Sequence, residues 1–167
     1  MSIAAMAVLV SSASAENINL TDALVSRPEL SEFQAALVAT DVIKELNPKT
    51  SYSIFAPTNE YLDKVVKGEP SCLDSERCKA EMTVILRNHI VAGAVHLSDV
   101  AKQGAAVLSS INGHTITVTA LPNGGFTADG NAITMQQSIA GGVMLYEING
   151  LLANPQEHSD MQSIHME

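Results

Sequence analysis

The stretch SIFAPTNEYLDKV, Ser53 to Val65, decides how the rest of the chain is read. Written as an extended segment, Tyr52, Ile54 and Ala56 fall on one side and Ser53 and Phe55 on the other. That pattern suits a short strand covered on both faces. Pro57 has no N–H to give a ladder, so the strand ends there. Thr58 or Asn59 is then placed to accept hydrogen bonds from the bare N–H groups of a following helix. Glu60 and Asp63 favour the positive end of that helix, and Leu62, Val65 and Val66 supply its buried side. No nucleophile stands beside a base here. The stretch is predicted to be a strand-to-helix join, not a place where bonds are broken.

Upstream of the join the chain reads as helical. Thr21 is a plausible N-cap for LTDALVS, and Pro28 takes a first helical position in RPELSEFQAALVA. Leu30, Phe33 and Leu37 then share one face. TDVIKEL restarts with Thr40 or Asp41 as cap, and NPKT stops it. Downstream, ERCKAEMTVILRNHIVAG runs a helix into a strand that ends at Gly93 and places Arg87, His89 and Val91 on one face. The rest reads as strands. Alternating runs flank Asn112-Gly113 and again Asp129-Gly130, both strong hairpin signals. GGVMLYEINGLLANP is predicted to close with two further strands before Pro155. Helices first and strands afterwards point to an α+β fold.

The 167 residues fit one domain, with 9 Lys and Arg against 18 Asp and Glu for a formal charge of -9. A duplex-binding surface needs clustered positive charge, and a base-stacking platform needs aromatic residues that this Trp-free chain largely lacks. Nucleic acid is therefore not an expected partner. Residues 1–15 read as a signal or targeting segment: IAAMAVLV is followed by SSASA, which ends in an Ala-Ser-Ala cleavage pattern. No Lys or Arg precedes Ile3, so the signal is atypical or the sequence begins inside a longer one. A retained apolar helix is the alternative. Export to the periplasm, the cell exterior or an organelle lumen fits Cys72 and Cys78, spaced to bridge across a loop as a disulfide in an oxidising compartment. Their C-x5-C spacing is not that of a zinc knuckle or a redox motif.

Three separated segments, SIFAPTNEYL, RNHIVAG and GGVMLYEINGLLANP, resemble in order and spacing the motifs of the fasciclin-like domain family. The resemblance covers about residues 17–155 and implies a fasciclin-like fold, a helical first half packed on an antiparallel β-sandwich or wedge. It also implies a secreted, non-enzymatic module for cell adhesion or protein–protein interaction, with no cofactor. Its partner would be another protein or a cell-surface or matrix component. The family's central Tyr is Asn88 here, with His89 kept; in the closing motif Tyr146 stands for the usual His and Asn149 for the Asp. The integrin adhesion linked to the Tyr-His segment in some animal members is therefore not carried over.

The candidate site residues follow. Asn88 and His89 are the candidate partner-binding positions, and for His89 the other reading is a packed histidine bonded to a backbone carbonyl. His96 and His114 follow turns and are expected to face solvent. Asn19 begins an N-glycosylation pattern that matters only in a eukaryotic secretory route. Residues 156–167 form a tail beyond the resemblance, with His158, Met161, His165 and Met166 as a ligand set suited to copper. The plain reading of that tail is a polar terminus, and a docking segment is a third. Enzyme signatures such as a nucleophile elbow, a P-loop or a two-histidine zinc helix do not occur. Besides the adhesion module, two functions remain: an accessory subunit docked on a larger membrane-associated assembly, and an exported copper binder using the tail.

Overall fold

The computed structural model describes residues 20–47, 49–66, 74–139 and 142–152. Its first part holds α1 (Leu20–Val25), a 3-10 turn (Pro28–Leu30), α2 (Ser31–Ala39) and α3 (Val42–Glu45). Strand β1 (Tyr52–Pro57) leads into α4 (Asn59–Val66), and α5 (Glu76–Asn88) leads into β2 (Ile90–Ala92). Then come α6 (Leu97–Gln103) and five strands: β3 (Ala105–Ser109), β4 (Thr115–Ala120), β5 (Phe126–Ala128), β6 (Asn131–Ile139) and β7 (Val143–Ile148).

The strands form one mixed sheet in the order β2-β1-β7-β6-β5-β4-β3. All pairs are antiparallel except β1 with β7, which run parallel from Ser53 opposite Met144 to Pro57 opposite Ile148. A purely antiparallel second half therefore gives way to a sheet in which the join strand sits next to the last strand. The two outer strands approach each other at one end. There Val91 bridges Ser110, and the Ile111 N–H donates to the Ile90 carbonyl at 2.8 Å. The sheet thus curls into a wedge rather than a flat layer.

Two hydrophobic cores lie on opposite sides of β1 and β7. Ile54 and Ala56 join Leu24, Leu30, Phe33, Leu37, Met82 and Leu86 in the helical core. Phe55 turns the other way, to Tyr146, Ile148, Ile116, Val118, Leu97 and Val100 in the strand core. Adjacent residues of a strand point to opposite faces, so a strand between two cores must be apolar on both. All six residues of β1 are buried for this reason. Leu30, Phe33 and Leu37 share the buried face that their spacing predicts.

The join itself departs from expectation in one respect. The backbone carbonyl of Thr58 accepts the N–H groups of Tyr61 (3.0 Å) and Leu62 (3.3 Å), as at an ordinary helix start. The Asn59 side chain does not cap its own helix. Its Oδ1 accepts the Glu32 N–H at 2.9 Å, and its Nδ2 donates to the Pro28 carbonyl and the Ser31 hydroxyl at 3.0 Å each. It clamps the beginning of α2 to the beginning of α4, and one of the four bare N–H groups of α2 is satisfied from another element.

Three other expectations change. Helix α6 occupies a stretch read as lacking helix: Leu97 and Val100 are buried one turn apart, Asp99 and Lys102 sit at the favourable ends, and Gly104 ends it at φ 88°. Among the described residues the closing segment forms one strand, β7, not two; after Ile148 the Asn149 N–H still reaches the Ala132 carbonyl at 3.0 Å, but no further ladder follows. Asp41 flanks α3 with φ 61° and makes no capping bond, its carboxylate instead meeting Lys44 at 2.9 Å.

Candidate interaction surface

His89 is the C-terminal flank of α5, not part of a strand; the helix runs through Asn88 and β2 begins at Ile90. Arg87 therefore lies on the last helical turn, where its Nε donates to Glu45 Oε2 at 3.0 Å. The His89 side chain is fully buried. Its Nδ1 lies 2.6 Å from the Ile85 carbonyl, and its Nε2 accepts the Leu152 N–H at 3.0 Å. A carbonyl on one side and an N–H on the other require the neutral tautomer with the proton on Nδ1. Burial is the main reason that its pKa is pushed down to about 4. The His89 carbonyl also accepts the Phe55 N–H at 2.9 Å. One residue thus ties α5, β1 and the segment after β7 together.

Asn88 is equally inward-facing. Only 1% exposed, it accepts from Asn112 Nδ2 at 2.9 Å, which holds the β3–β4 turn against the end of α5. The packed-histidine geometry, with a backbone carbonyl at Nδ1, is the one observed for His89. A partner approaching this corner meets the turn around Asn112, not the side chains of Asn88 and His89.

Two buried polar side chains to which the sequence assigned no site role, Ser53 and Tyr146, complete this framework. Ser53 donates to the Gly93 carbonyl at 2.8 Å and accepts the Val95 N–H at 2.7 Å. The Tyr146 hydroxyl donates to the Val95 carbonyl, and its ring stacks on Phe55 with centroids 5.2 Å apart. Both peptide groups of Val95 are thus satisfied by side chains from the central strands. Burial pushes the Tyr146 hydroxyl up to about 12, so it stays a donor at any physiological pH. The visible signal was Ser53, the one small polar residue in a strand otherwise built of apolar and aromatic residues.

His96 is exposed, as expected, but His114 is not: its side chain keeps only 7% exposure. Its Nε2 is buried without a hydrogen bond, 3.5 Å from Asp129 Oδ2. Asp129 is itself held by the Thr117 N–H at 2.7 Å. The Asn112-Gly113 turn curls His114 inward, because the Ser110 hydroxyl takes both the Asn112 and the His114 N–H groups. Cys72 and the tail residues His158, Met161, His165 and Met166 lie outside the described residues, while Cys78 lies in the first turn of α5. Among the described residues no group of three His, Cys, Asp or Glu side chains could hold a metal ion. No described helix is long and apolar enough to cross a membrane.

The most open surface is the outer strand β3. Ser110 N–H donates to the His114 carbonyl and Ala120 N–H to the Gly104 carbonyl, which fixes the phase of the β3–β4 ladder. Alternate residues of an antiparallel pair exchange hydrogen bonds, so Ala106 and Leu108 turn their peptide groups to β4. Ala105, Val107 and Ser109 turn theirs outward; β2 meets this edge only at its Ser109–Ile111 end, where Val91 bridges Ser110, and no described strand lies beyond Ala105 and Val107. Their side chains are exposed, Val107 by 71%. From Gly104 to Gly113 there is no charged residue and no proline, so the usual devices that blunt a sheet edge are missing.

With this geometry in view, the comparisons with known proteins assign the class. The family model for the Fasciclin domain matches residues 28–154, and the chain belongs to that family. In the structure of a FAS1 domain pair from the insect cell adhesion molecule Fasciclin I, the same fold recurs with TM-score 0.68 at 14% identity, covering 84% of this chain and 52% of that one. Human periostin is 26% identical over 117 residues, 70% of this chain and 13% of periostin. Aurofusarin biosynthesis cluster protein S of Gibberella zeae is 36% identical over 80 residues, 46% of this chain and 20% of that protein. The chain thus spans a small part of these curated relatives.

Proposed function

We propose that this chain is an exported, non-catalytic fasciclin module that holds a protein partner, and that the partner adds a strand to β3. Family membership supports a binding module, and the insect relative of the same fold is a cell adhesion molecule. The observation that carries the reading is the uncharged β3 edge, open among the described residues at Ala105 and Val107. Strand addition draws affinity from main-chain hydrogen bonds and specificity from alternate side chains, which an edge of this kind supplies. In the same exported setting Cys72 and Cys78 form a disulfide. This is supported by the absence of a free cysteine among the described residues.

Val107→Pro is the test. It removes an outward N–H while leaving the bonds to β4, one of the few places where a strand tolerates proline. Wild-type protein immobilised in an extract of its native source should capture a partner that Val107→Pro does not. Val25→Lys, at a valine 65% exposed on α1, should capture it as well as wild type does. Equal capture by Val107→Pro, with its fold intact by circular dichroism, rules out the β3 edge as the contact.

A further inference from the structure

Three Asn-Gly pairs occur in the sequence, and the fold treats them unequally. At Asn112-Gly113 the Asn112 amide donates to Asn88 Oδ1 at 2.9 Å and the Gly113 N–H donates to the Ser110 carbonyl at 2.9 Å. At Asn123-Gly124 the Asn123 Oδ1 accepts the Gly125 N–H at 2.9 Å and the Gly124 N–H donates to the Leu121 carbonyl at 3.1 Å. At Asn149-Gly150 neither group is held: among the described residues the exposed Asn149 side chain and the Gly150 N–H make no hydrogen bond. We propose that Asn149 is a site of spontaneous covalent modification, where the fold directs deamidation while protecting the other two pairs.

The chemistry needs only the protein and water. The Gly150 backbone nitrogen loses its proton and attacks Asn149 Cγ. The new N–C bond forms as the bond from Cγ to the amide nitrogen Nδ2 breaks, and that nitrogen leaves as ammonia. The five-membered succinimide then takes up water at either carbonyl. Opening on one side gives Asp at position 149, and opening on the other gives isoaspartate, with the backbone routed through the former side chain. No oxidant or second reagent enters. The reaction requires the amide carbon free to turn toward the next nitrogen, and that nitrogen free of a hydrogen bond and of a shielding Cβ. Gly150 meets the last condition because the fold demands glycine there. A Cβ at this position would lie 2.0 Å from Asn131 Oδ1. The neighbour that excludes every side chain from position 150 thereby keeps the attacking nitrogen clear of one.

The position of the modification gives it a structural effect. Asn149 lies between β7 and Leu152, whose N–H is held by His89 Nε2 at 3.0 Å. Either product adds a negative charge to a protein that already carries -9. Isoaspartate also lengthens the backbone by one carbon just before that clasp. The isoaspartate form therefore loosens the hold on Leu152 while the two protected turns keep theirs.

Incubation of the folded protein in mildly alkaline buffer, followed by peptide mapping with mass spectrometry, tests this. Turns that must open before reacting are slowed by their opening equilibrium, so the Asn149 peptide should convert at least about tenfold faster than the Asn112 and Asn123 peptides. In denaturant the three rates should converge, which shows that the fold is the source of the selectivity. Asn149→Gln should suppress that conversion without altering the melting temperature. Equal rates in the folded protein, or a preference that persists in denaturant, would overturn the proposal.

Discussion

Strands β1 and β3 have similar length and opposite fates. Every residue of β1 is buried, and the strand has a neighbour on each side; β3 is exposed at every second residue and, short of the bridge to β2 at its end, is paired on one side only. The difference is visible in composition. Strand β1 places Ile54 and Ala56 toward one core and Phe55 toward the other, whereas β3 sets Ala106 and Leu108 inward and leaves Ala105, Val107 and Ser109 outside. The contrast teaches where the fold is held and where another molecule can be met. The first of the three family-like segments lies in β1 and none of them includes β3, so they identify the scaffold and say little about the contact.

The largest break in that contrast comes from the core. Phe55→Ala removes a fully buried ring that stacks on Tyr146 and should destabilise the domain by about 3–5 kcal/mol in chemical denaturation. Val107→Ala should stay within about 0.5 kcal/mol of wild type. A comparable loss at both positions would erase the distinction.

Next in size is a pH effect centred on His89. Its folded pKa of about 4 lies below the ordinary 6.5, so between these values the unfolded state binds the extra proton. The stability that neutral His89 contributes is fully present above pH 6.5 and is lost as pH falls toward 4, by about 3 kcal/mol in all. Urea unfolding at a series of pH values should show this slope, and His89→Gln should flatten it. An unchanged slope in the variant would assign the effect to other groups.

The smallest effect sharpens the role of the join. Asn59→Ala deletes three hydrogen bonds that tie α4 to α2 and the 3-10 turn before it, and should cost about 1 kcal/mol without altering partner capture. A neutral result would show that the clamp holds nothing that packing does not already hold.

Much of the scaffold was legible because its signals are local. Asn112-Gly113 and Asp129-Gly130 mark real hairpins, and Leu30, Phe33 and Leu37 mark a real buried face. What was not legible depends on distant residues. The parallel pairing of β1 with β7 leaves no mark in either strand beyond its apolarity. Asn59 looks like a cap for its own helix, and only the arrival of α2 redirects it. His114 follows a turn, which favours exposure, yet Ser110 bends the backbone so that the ring turns inward. Helix α6 has a readable stop in Gly104 but no capping side group at its start, and its seven residues were too few to stand out. The candidate surface was the least legible part, because an open edge is defined by a strand that is not there.

The parallel pairing of β1 with β7 also bears on how the protein reaches its native state. Ser53 and Met144 stand side by side, although roughly ninety residues separate them and closing such a loop is entropically slow. During synthesis the helical half emerges long before the strand that covers one side of β1. Until β7 arrives, that side keeps an unpaired, apolar edge, so β7 is the strand whose arrival shields β1 from aggregation.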